Sequence, residues 1–406
     1  MGWTKMAKIN LTRLVTFSVI IGILLRLLLS VTTYHSDLGA FALAGKYIVG
    51  DNRPLTFYDA LGSRTDMVFN YQPLAYLLPS AAYLPFKSIV VTTGDLLINR
   101  SWITSLPGSI QPILLLYKLP MLIADLLILL FIPNLFSDPR KKKISRILWS
   151  LNPIAIFVSS MMGQVDIIIA LFLLLSLLSI KESKYPKAAL FVALSALIKP
   201  IGLILLPILA ISAFHYHKKI SSALFSLLTG FGIYALGVLP YISSPYYRYY
   251  ALFADQINKS TFAGIAIASG TVIPWFFIAY SFAIMLFWQK RISLNTAMLA
   301  SLLSSLVFTH FHPQWLVWVM PGVIYFILMQ RAYFYYIALL LGWLFVLLSF
   351  DSSLHYGLFI WISSSTLLLP ASFNNLFINL VGLSRALLLS CLLLLYSGGK
   401  SHPPTV

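Results

Sequence analysis

Long apolar stretches separated by short polar loops dominate the chain. The first runs over about 12–33, and later ones cover about 111–135, 221–240, 271–288, 294–309, 314–330 and 332–350. A membrane-spanning helix needs about 20 predominantly apolar residues, and these stretches approach or reach that length. The pattern therefore predicts an all-α fold, a polytopic transmembrane helical bundle of about 11–13 spans.

Two further pairs of segments complete the predicted bundle. Segments 146–162 and 167–180 predict an outward and inward pair, joined by the turn 163–166. Residues 188–214 form one apolar stretch that is broken at Lys199-Pro200 and flanked by basic residues. Its arms are too short to cross fully, so we expect a short broken hairpin whose tip is buried in protein near the outer face.

Composition and charge agree with a membrane protein. Apolar residues make up 59% of the 406 residues, charged residues 10%, and the mean hydropathy is +0.88, which excludes an ordinary soluble domain. The net charge of +17 comes largely from Lys and Arg in short loops, the pattern that marks the cytoplasmic side. We therefore expect membrane lipids as partners and no nucleic acid. The basic clusters are Arg140–Lys143 with Arg146, then Lys181, Lys184 and Lys187, then Lys218 and Lys219, then Lys290 and Arg291.

The positions of these clusters predict the topology. The first span runs outward and the span at 111–135 runs inward, so residues 34–110 form one large extracytoplasmic loop within a single domain, 1–406. The proline-rich stretch 71–85 is predicted to be an interfacial or re-entrant helix. Beyond Asp351 either two spans or one span with an interfacial helix fit. We expect a multi-pass protein of a prokaryotic plasma membrane or a eukaryotic endoplasmic reticulum membrane.

Asp37 is the leading catalytic candidate. Only 11 acidic residues occur in the chain, and five of them fall in the extracytoplasmic loop: Asp37, Asp51, Asp59, Asp66 and Asp95. Most are explained as solvated loop charges. Asp37 lies closest to the bilayer boundary, where a carboxylate is energetically costly and is typically kept for a function.

Five ionisable residues, from four parts of the chain, reach the outer ends of the predicted helices: Asp37, Asp166, Lys199, His310 and His312. Each also has a plain structural explanation. Asp166 could cap the helix that follows it, Lys199 could be a snorkelling lysine, and the two histidines could be interface residues beside an aromatic belt.

Arg26 lies inside the first span, where a charge costs about 2.5–3.5 kcal/mol on insertion scales. We expect it to pair with a carboxylate or with a lipid phosphate.

A carboxylate at a membrane surface, ringed by cations, suits transfer of a sugar from a polyprenyl phosphate. The cations Arg26, Lys199, His310 and His312 would bind the donor phosphate and stabilise the charge on it as it leaves. Asp37 would take the proton from the acceptor hydroxyl. One base and a phosphate leaving group predict single displacement with inversion.

The motifs resemble the GT-C class of polyprenyl-phosphate-sugar-dependent glycosyltransferases, and within it the first mannosyltransferases of GPI-anchor assembly and their prokaryotic relatives. The matching pieces, over about 12–330, are Arg26-Leu27-Leu28, Phe41–Gly45 with Gly50, Tyr71–Pro79, Asn152-Pro153, Ser159-Ser160, Gly163–Asp166, Lys199-Pro200, Leu206-Pro207, and Pro313–Trp318 with Pro321.

The resemblance implies roles for further residues. It implies that Asp37 is catalytic, that the sugar is a hexose, mannose, carried on polyprenyl or dolichyl phosphate, and that the acceptor is a lipid or glycan. The substrate-binding residues would be Tyr71, Gln164, Asp166, Gln314 and Trp315. Two acids spaced by one residue are common in this class, and His35 replaces the first here. The sequence therefore favours no metal and no cofactor.

A secondary transporter or flippase for a lipid-linked substrate is the alternative from another class. It would explain the span count and the break at Lys199-Pro200, since discontinuous helices build transporter sites. It would also predict internal repeats and ionisable groups at the membrane midplane. The sequence shows no repeat, and only Lys118 and Asp125 fall near the midplane.

Overall fold

The structure, a computed structural model, describes residues 11–64, 69–98, 110–253, 262–268, 270–310, 312–350, 352–360 and 371–397. In these ranges the chain is almost wholly helical, with one small β-hairpin, so the predicted all-α membrane fold is confirmed. The α-helices are α1 (Leu11–Thr32), α2 (Asp37–Gly45), α3 (Phe57–Gly62), α4 (Leu74–Tyr83), α5 (Lys87–Thr93), α6 (Ile110–Phe131), α7 (Pro139–Ser150), α8 (Pro153–Ile156), α9 (Asp166–Lys181), α10 (Tyr185–Ala196), α11 (Leu206–His217), α12 (Ile220–Val238), α13 (Pro245–Tyr247), α14 (Trp275–Trp288), α15 (Leu294–Phe308), α16 (Met320–Gln330), α17 (Tyr333–Ser349) and α18 (Ala371–Ser397).

Irregular helical segments and a hairpin connect these helices. The 3₁₀ segments are Leu84–Phe86, Leu96–Ile98, Ile132–Leu135, Pro200–Leu205, Leu239–Tyr241, Pro313–Val319, Ser352–Leu354 and Tyr356–Leu358, and the π-helical segments are Lys46–Gly50, Phe157–Met162 and Arg248–Leu252. The strands are β1 (Gly264–Ala268) and β2 (Thr271–Pro274), which pair antiparallel.

Several helices are long and apolar enough to cross a membrane. Seven segments of the described chain meet this condition by length and composition, and an eighth does if α7 and the bent segment Pro153–Met162 form one span. The shorter apolar helices α14, α15 and α17 have 14, 15 and 17 residues. Large aliphatic and aromatic side chains remain exposed along α1, α12 and α14, as expected for surfaces that face lipid.

The predicted basic cluster Arg140–Lys143 and Asp37 lie at opposite ends of α1. At one end, which we call the basic end, the Lys143 ammonium lies 2.8 Å from the Thr12 hydroxyl and Lys141 lies 3.4 Å from Met329 Sδ. At the opposite end, which we call the Asp37 end, the backbone N–H of Tyr34 donates to the Leu358 carbonyl at 2.7 Å. The predicted cytoplasmic clusters and the predicted catalytic residue therefore lie at opposite ends.

The segment that contains α4 and α5 starts and finishes at the Asp37 end. Before α4, the Tyr71 hydroxyl lies 3.4 Å from Asp37 Oδ2, and after α5 the Leu97 carbonyl accepts a hydrogen bond from the Tyr34 hydroxyl. The segment is interrupted by the 3₁₀ stretch Leu84–Phe86, and Leu74–Thr93 is one of the seven stretches of the described chain that are long and apolar enough to cross a membrane. The predicted interfacial or re-entrant element at 71–85 therefore stays a prediction.

The C-terminal helices form an antiparallel pair. Near the middle of α18, Arg385 donates to the carbonyls of Val307 and Thr309 at the end of α15, at 2.6 and 3.0 Å. Ser384 donates to the Gly342 carbonyl of α17 at 2.7 Å, and Leu394 lies in a groove with Arg291 of the basic end. Helix α18 therefore returns toward the basic end. It is the one candidate span described beyond Asp351, so the choice between two spans and one span with an interfacial helix stays open.

A buried ion pair joins α1 and α6. All five N–H donors of Arg26 are used: Nε and Nη2 bind the Asp125 carboxylate at 2.7 and 3.1 Å, and the others reach backbone carbonyls of Gly22, Trp149 and Ser150. Of the two partners expected for Arg26, the structure shows the carboxylate. Arg26 is thus a core residue here, which corrects its assignment to the donor phosphate.

Breaking this pair should destabilise the fold. Asp125→Asn leaves the Arg26 guanidinium buried without a counter-charge, so we expect a loss of about 3–5 kcal/mol of unfolding free energy. The measurement is the thermal unfolding midpoint of the purified protein in detergent. Lys184→Ala, which removes the exposed 2.9 Å pair with Glu182, is the control and should leave the midpoint nearly unchanged. Equal midpoints for the two variants would contradict the assignment.

Candidate active site

Asp37 lies at the start of α2 with one carboxylate oxygen fixed and the other open. Oδ2 accepts hydrogen bonds from Gln164 Nε2 and, at 3.4 Å, from the Tyr71 hydroxyl. Oδ1 lies 3.7 Å from His35 Nδ1, and the side chain is 35% exposed. The first turn of a helix stabilises a negative charge. Asp37 is therefore an oriented, accessible carboxylate.

Gln164 and Tyr71 orient Asp37. Gln164 is fully buried, and its Nε2 donates to Asp37. The single Tyr71 hydroxyl proton is shared between Gln164 Oε1, at 3.3 Å, and Asp37 Oδ2, at 3.4 Å. Burial, with a smaller effect of the Asp37 and Asp166 carboxylates, raises the pKa of Tyr71, so its phenol stays a hydrogen-bond donor. The structure thus gives Gln164, predicted to bind substrate, a positioning role behind the carboxylate.

Lys199 and Asp166 form a second ion pair beside this network. The Lys199 ammonium lies 2.7 and 2.9 Å from the two Asp166 oxygens, and Trp318 Nε1 donates to Oδ1 at 2.8 Å. Asp166 is fully buried and the Lys199 side chain is 12% exposed. Asp166 does not cap α9, whose N-cap is Val165, so the capping explanation for this residue does not hold.

Three aromatic rings surround the Lys199 ammonium. The ring centroids of Tyr71, Trp315 and Trp318 lie 4.9, 5.2 and 5.5 Å from Nζ, within reach of cation–π attraction. The segment Pro313–Val319 is 3₁₀, in which residues three apart eclipse. This explains why the two tryptophans stack, with centroids 5.2 Å apart and planes at 16°. Sequence analysis did not assign Trp318 to the site. Its spacing of three residues from Trp315 was the signal that could have identified it.

Backbone bonds fix Tyr71 against the tip that carries Lys199. The N–H groups of Gln72 and Leu74 donate to the carbonyls of Ile198 and Leu197, at 3.2 and 2.9 Å. Lys199 itself is extended, with φ −143° and ψ 133°, because the residue before a proline avoids the α conformation. Helix α10 therefore ends before Pro200, and the break brings the lysine to Tyr71. The second arm, Pro200–His217, has 18 residues and is long and apolar enough to cross a membrane, so the expectation that both arms are too short is wrong.

The buried Lys118 ammonium positions the turn that carries Gln164. It donates to the Thr33 carbonyl at 2.6 Å, the Thr33 hydroxyl at 3.0 Å, and the carbonyls of Ser160 and Met161 at 2.8 and 3.0 Å. These last two belong to a π-helix that ends at Gly163, where φ is +70°. A Cβ there would lie 2.8 Å from Lys118 Cγ. Lys118 thus joins the end of α1 to the turn.

His310 and His312 extend the aromatic surface beyond Trp315. The His312 ring lies 5.4 Å from Trp315, and the His310 ring lies 5.3 Å from His312 and 5.9 Å from Phe262. His312 is thus next to Trp315, and His310 lies one ring further along. Gln314, predicted to contact substrate, is buried, and its Oε1 makes no hydrogen bond within the described residues.

Two of the other loop carboxylates, Asp59 and Asp95, have local partners. Asp59 accepts from the Ser244 hydroxyl at 2.5 Å, and Asp95 pairs with Lys46, with Arg64 at 3.9 Å. Asp66 lies outside the described residues. Within the described chain no three His, Cys, Asp or Glu side chains are grouped as a metal site, and independence from metal stays a prediction.

A helical membrane bundle with this cluster at one end is, by comparison with known families, an integral membrane glycosyltransferase of the GT-C type. Residues 103–313, about half of the chain, match the model of Glycosyltransferase family 87, and the chain belongs to that family. No curated protein and no solved structure matches it. The family favours a transferase over the transporter. The matched region includes Asp166, Lys199 and His312, whereas Asp37 precedes it.

Removing the Gln164 amide should reduce turnover. Gln164→Leu keeps a side chain of similar size but loses the hydrogen bond to the Asp37 carboxylate. A hydrogen bond to a charged group is worth about 1.5–3 kcal/mol. We expect kcat to fall about 10- to 100-fold with little change in the donor KM. Ser179→Ala, which removes a buried hydroxyl from the far part of α9, is the control. A Gln164→Leu enzyme with the kcat of the control would exclude the positioning role.

Proposed function

We propose that the protein transfers a hexose, mannose, from a polyprenyl- or dolichyl-phosphate sugar to a hydroxyl of a lipid-linked or surface acceptor, on the extracytoplasmic face and with inversion. The observation that carries the proposal is that two groups lie side by side. One is the accessible, oriented carboxylate of Asp37, and the other is the Lys199 ammonium, which three aromatic rings surround. The two are bridged by Tyr71, whose hydroxyl contacts Asp37 and whose ring contacts Nζ.

The two carboxylates of the cluster differ in what they can do. Asp166 is fully buried and its oxygens are held by Lys199 and by Trp318. Asp37 is one-third exposed and has only neutral side-chain donors on Oδ2. A general base must reach the proton that it removes. Asp37 is therefore the base, and Asp166 is the counter-charge that holds Lys199.

The proposed reaction is a single displacement. The acceptor oxygen forms a bond to the anomeric carbon, and its proton passes to Asp37 Oδ1. The bond between the anomeric carbon and the phosphate oxygen breaks, and its electron pair leaves with the polyprenyl phosphate. Attack and departure on opposite sides of the same carbon invert its configuration.

Lys199 supports the donor side of this reaction. An ammonium has three N–H donors, and Asp166 accepts two of them. The third is available to a phosphate oxygen, and a charge-assisted bond of this type strengthens as negative charge develops on the leaving group. Trp315 and His312, which follow Lys199 along the aromatic surface, would line the same subsite.

The charge distribution supports the proposed sidedness. Loops with Lys and Arg belong on the cytoplasmic side, and Lys141 and Lys143 lie at the end of the bundle opposite Asp37. The catalytic cluster then faces the periplasm, cell exterior or endoplasmic reticulum lumen. Mannose as the sugar rests on the motif resemblance, and the family supports the transferase reaction.

Asp37→Asn should abolish transfer while leaving folding and donor binding largely intact. The change keeps the shape of the side chain but removes the base, so turnover should fall about 10²- to 10⁴-fold. The measurement is movement of radiolabel from polyprenyl-phosphate mannose to a lipid extract by protein reconstituted in liposomes. Asp51→Asn, at an exposed position of the same loop, is the control and should keep full activity. Full activity in Asp37→Asn would refute the assignment.

Lys199 can be tested separately from its structural role. Lys199→Met removes the phosphate contact but also leaves Asp166 buried and unpaired, so it should lower both stability and donor use. In Lys199→Met/Asp166→Asn the unpaired charge is gone, and the unfolding midpoint should recover. If Lys199 binds phosphate, the double variant should still use the donor about 10- to 100-fold less well, from the loss of about 1.5–3 kcal/mol. Recovery of both stability and kcat/KM would make Lys199 structural only.

A further inference from the structure

An apolar β-hairpin stands exposed at the Asp37 end. Strands β1 and β2 pair with Ile265 opposite Ile273, and Val272 lies on the other face. Ile267, at the bulge of β1, is 59% exposed, and the three neighbours just named are exposed as well. No charged residue occurs between positions 262 and 275. Both faces of the hairpin are thus apolar and open.

The hairpin continues the lipid-facing surface of the bundle. It leads directly into α14, where Trp275, Phe277 and Phe282 are exposed. A two-stranded hairpin is marginally stable in water at best, and exposed apolar strands invite aggregation. Such an element is therefore expected to have a hydrocarbon partner rather than water around it.

The base of the hairpin adjoins the catalytic cluster. Phe262, just before β1, lies 5.9 Å from the His310 ring, and ring contacts of 5.3 and 5.4 Å lead on through His312 to Trp315. Trp315 in turn lies 5.2 Å from the Lys199 ammonium. A continuous aromatic path therefore connects the apolar hairpin to the cation that we assign to the donor phosphate.

We propose that the hairpin binds the prenyl chain of the lipid-phosphate sugar donor, an inference that rests on the proposed function. In such a donor the phosphate is joined directly to the first isoprene unit. A phosphate held near Lys199 must therefore place the start of its chain on apolar surface that adjoins the site, and the hairpin is such a surface. Branched isoprene units match the branched side chains of Ile265, Ile267 and Ile273 in kind and size.

Donors of two chain lengths test this proposal. Ile265→Asn/Ile267→Asn should raise the KM for a long-chain prenyl-phosphate mannose about 10-fold, since apolar contact area is lost, with kcat unchanged. The KM for a short-chain, water-dispersible prenyl-phosphate mannose should stay that of the wild type. Ile220→Asn/Leu224→Asn, at two exposed aliphatic positions of α12 toward the basic end, is the matched control and should change neither value.

Three kinetic outcomes would overturn the proposal. They are an unchanged KM for the long-chain donor, an equal rise for both donors, and the same rise in the control variant. If the wild type used neither donor, the proposed function would be refuted. The proposal that the hairpin binds a prenyl chain would then be tested by the binding measurement alone.

The binding measurement uses a fluorophore on the hairpin. Cys391, the sole cysteine, is buried, so Ile267→Cys can be labelled selectively with an environment-sensitive dye in the reconstituted protein. A prenyl phosphate with a nitroxide on its chain should quench the dye more strongly than a nitroxide phospholipid at the same mole fraction. Equal quenching would mean that the hairpin contacts bilayer lipid without preference, and would overturn the proposal.

Discussion

The ion pair between Lys199 and Asp166 holds the active-site end of the bundle together. In a low-dielectric interior, removing one member of such a pair leaves an uncompensated buried charge at a cost of about 3–5 kcal/mol. The folded state therefore requires Lys199 and Asp166 to be in contact. Their meeting brings the start of α9 to the tip of the broken hairpin, and the bond from Trp318 adds the segment Pro313–Val319. Gln164, two residues before Asp166, is thereby placed against Asp37.

Irregular backbone provides the geometry that this cluster needs. The π-helix before Gly163 turns the carbonyls of Ser160 and Met161 toward Lys118, and the left-handed Gly163 then redirects the chain toward Gln164. The 3₁₀ turn stacks two tryptophans, and the Lys199-Pro200 break ends a helix at the required place. Ser160 and Met161 lie in the last turn before Gly163, where carbonyls lack intrahelical donors, and the Lys118 ammonium supplies those donors.

The sequence alone identified those residues of the candidate site that carry a charge. Charged residues are few and costly within a membrane protein, so Asp37, Asp166 and Lys199 stood out, and the Lys-Pro break indicated where the lysine would lie. The partner of Arg26 was not predictable. Asp125 is 99 positions away, and the choice between a carboxylate and a lipid phosphate depends on how α1 and α6 are rotated against each other. The burial of Gln164 depends on packing in the same way, because its polar side chain looked equally suited to a substrate.

The charges of the cluster fit the single base of the proposed reaction. Lys199 is paired with Asp166, whereas Asp37 lies in the first turn of α2 and accepts hydrogen bonds from the neutral side chains of Gln164 and Tyr71. In the proposed reaction the third N–H of Lys199 would bind the donor phosphate, and this bond would strengthen as negative charge develops on the departing group. Lys199 would then stabilise the departing phosphate more than the ground-state donor, which is the condition for raising the rate of the chemical step.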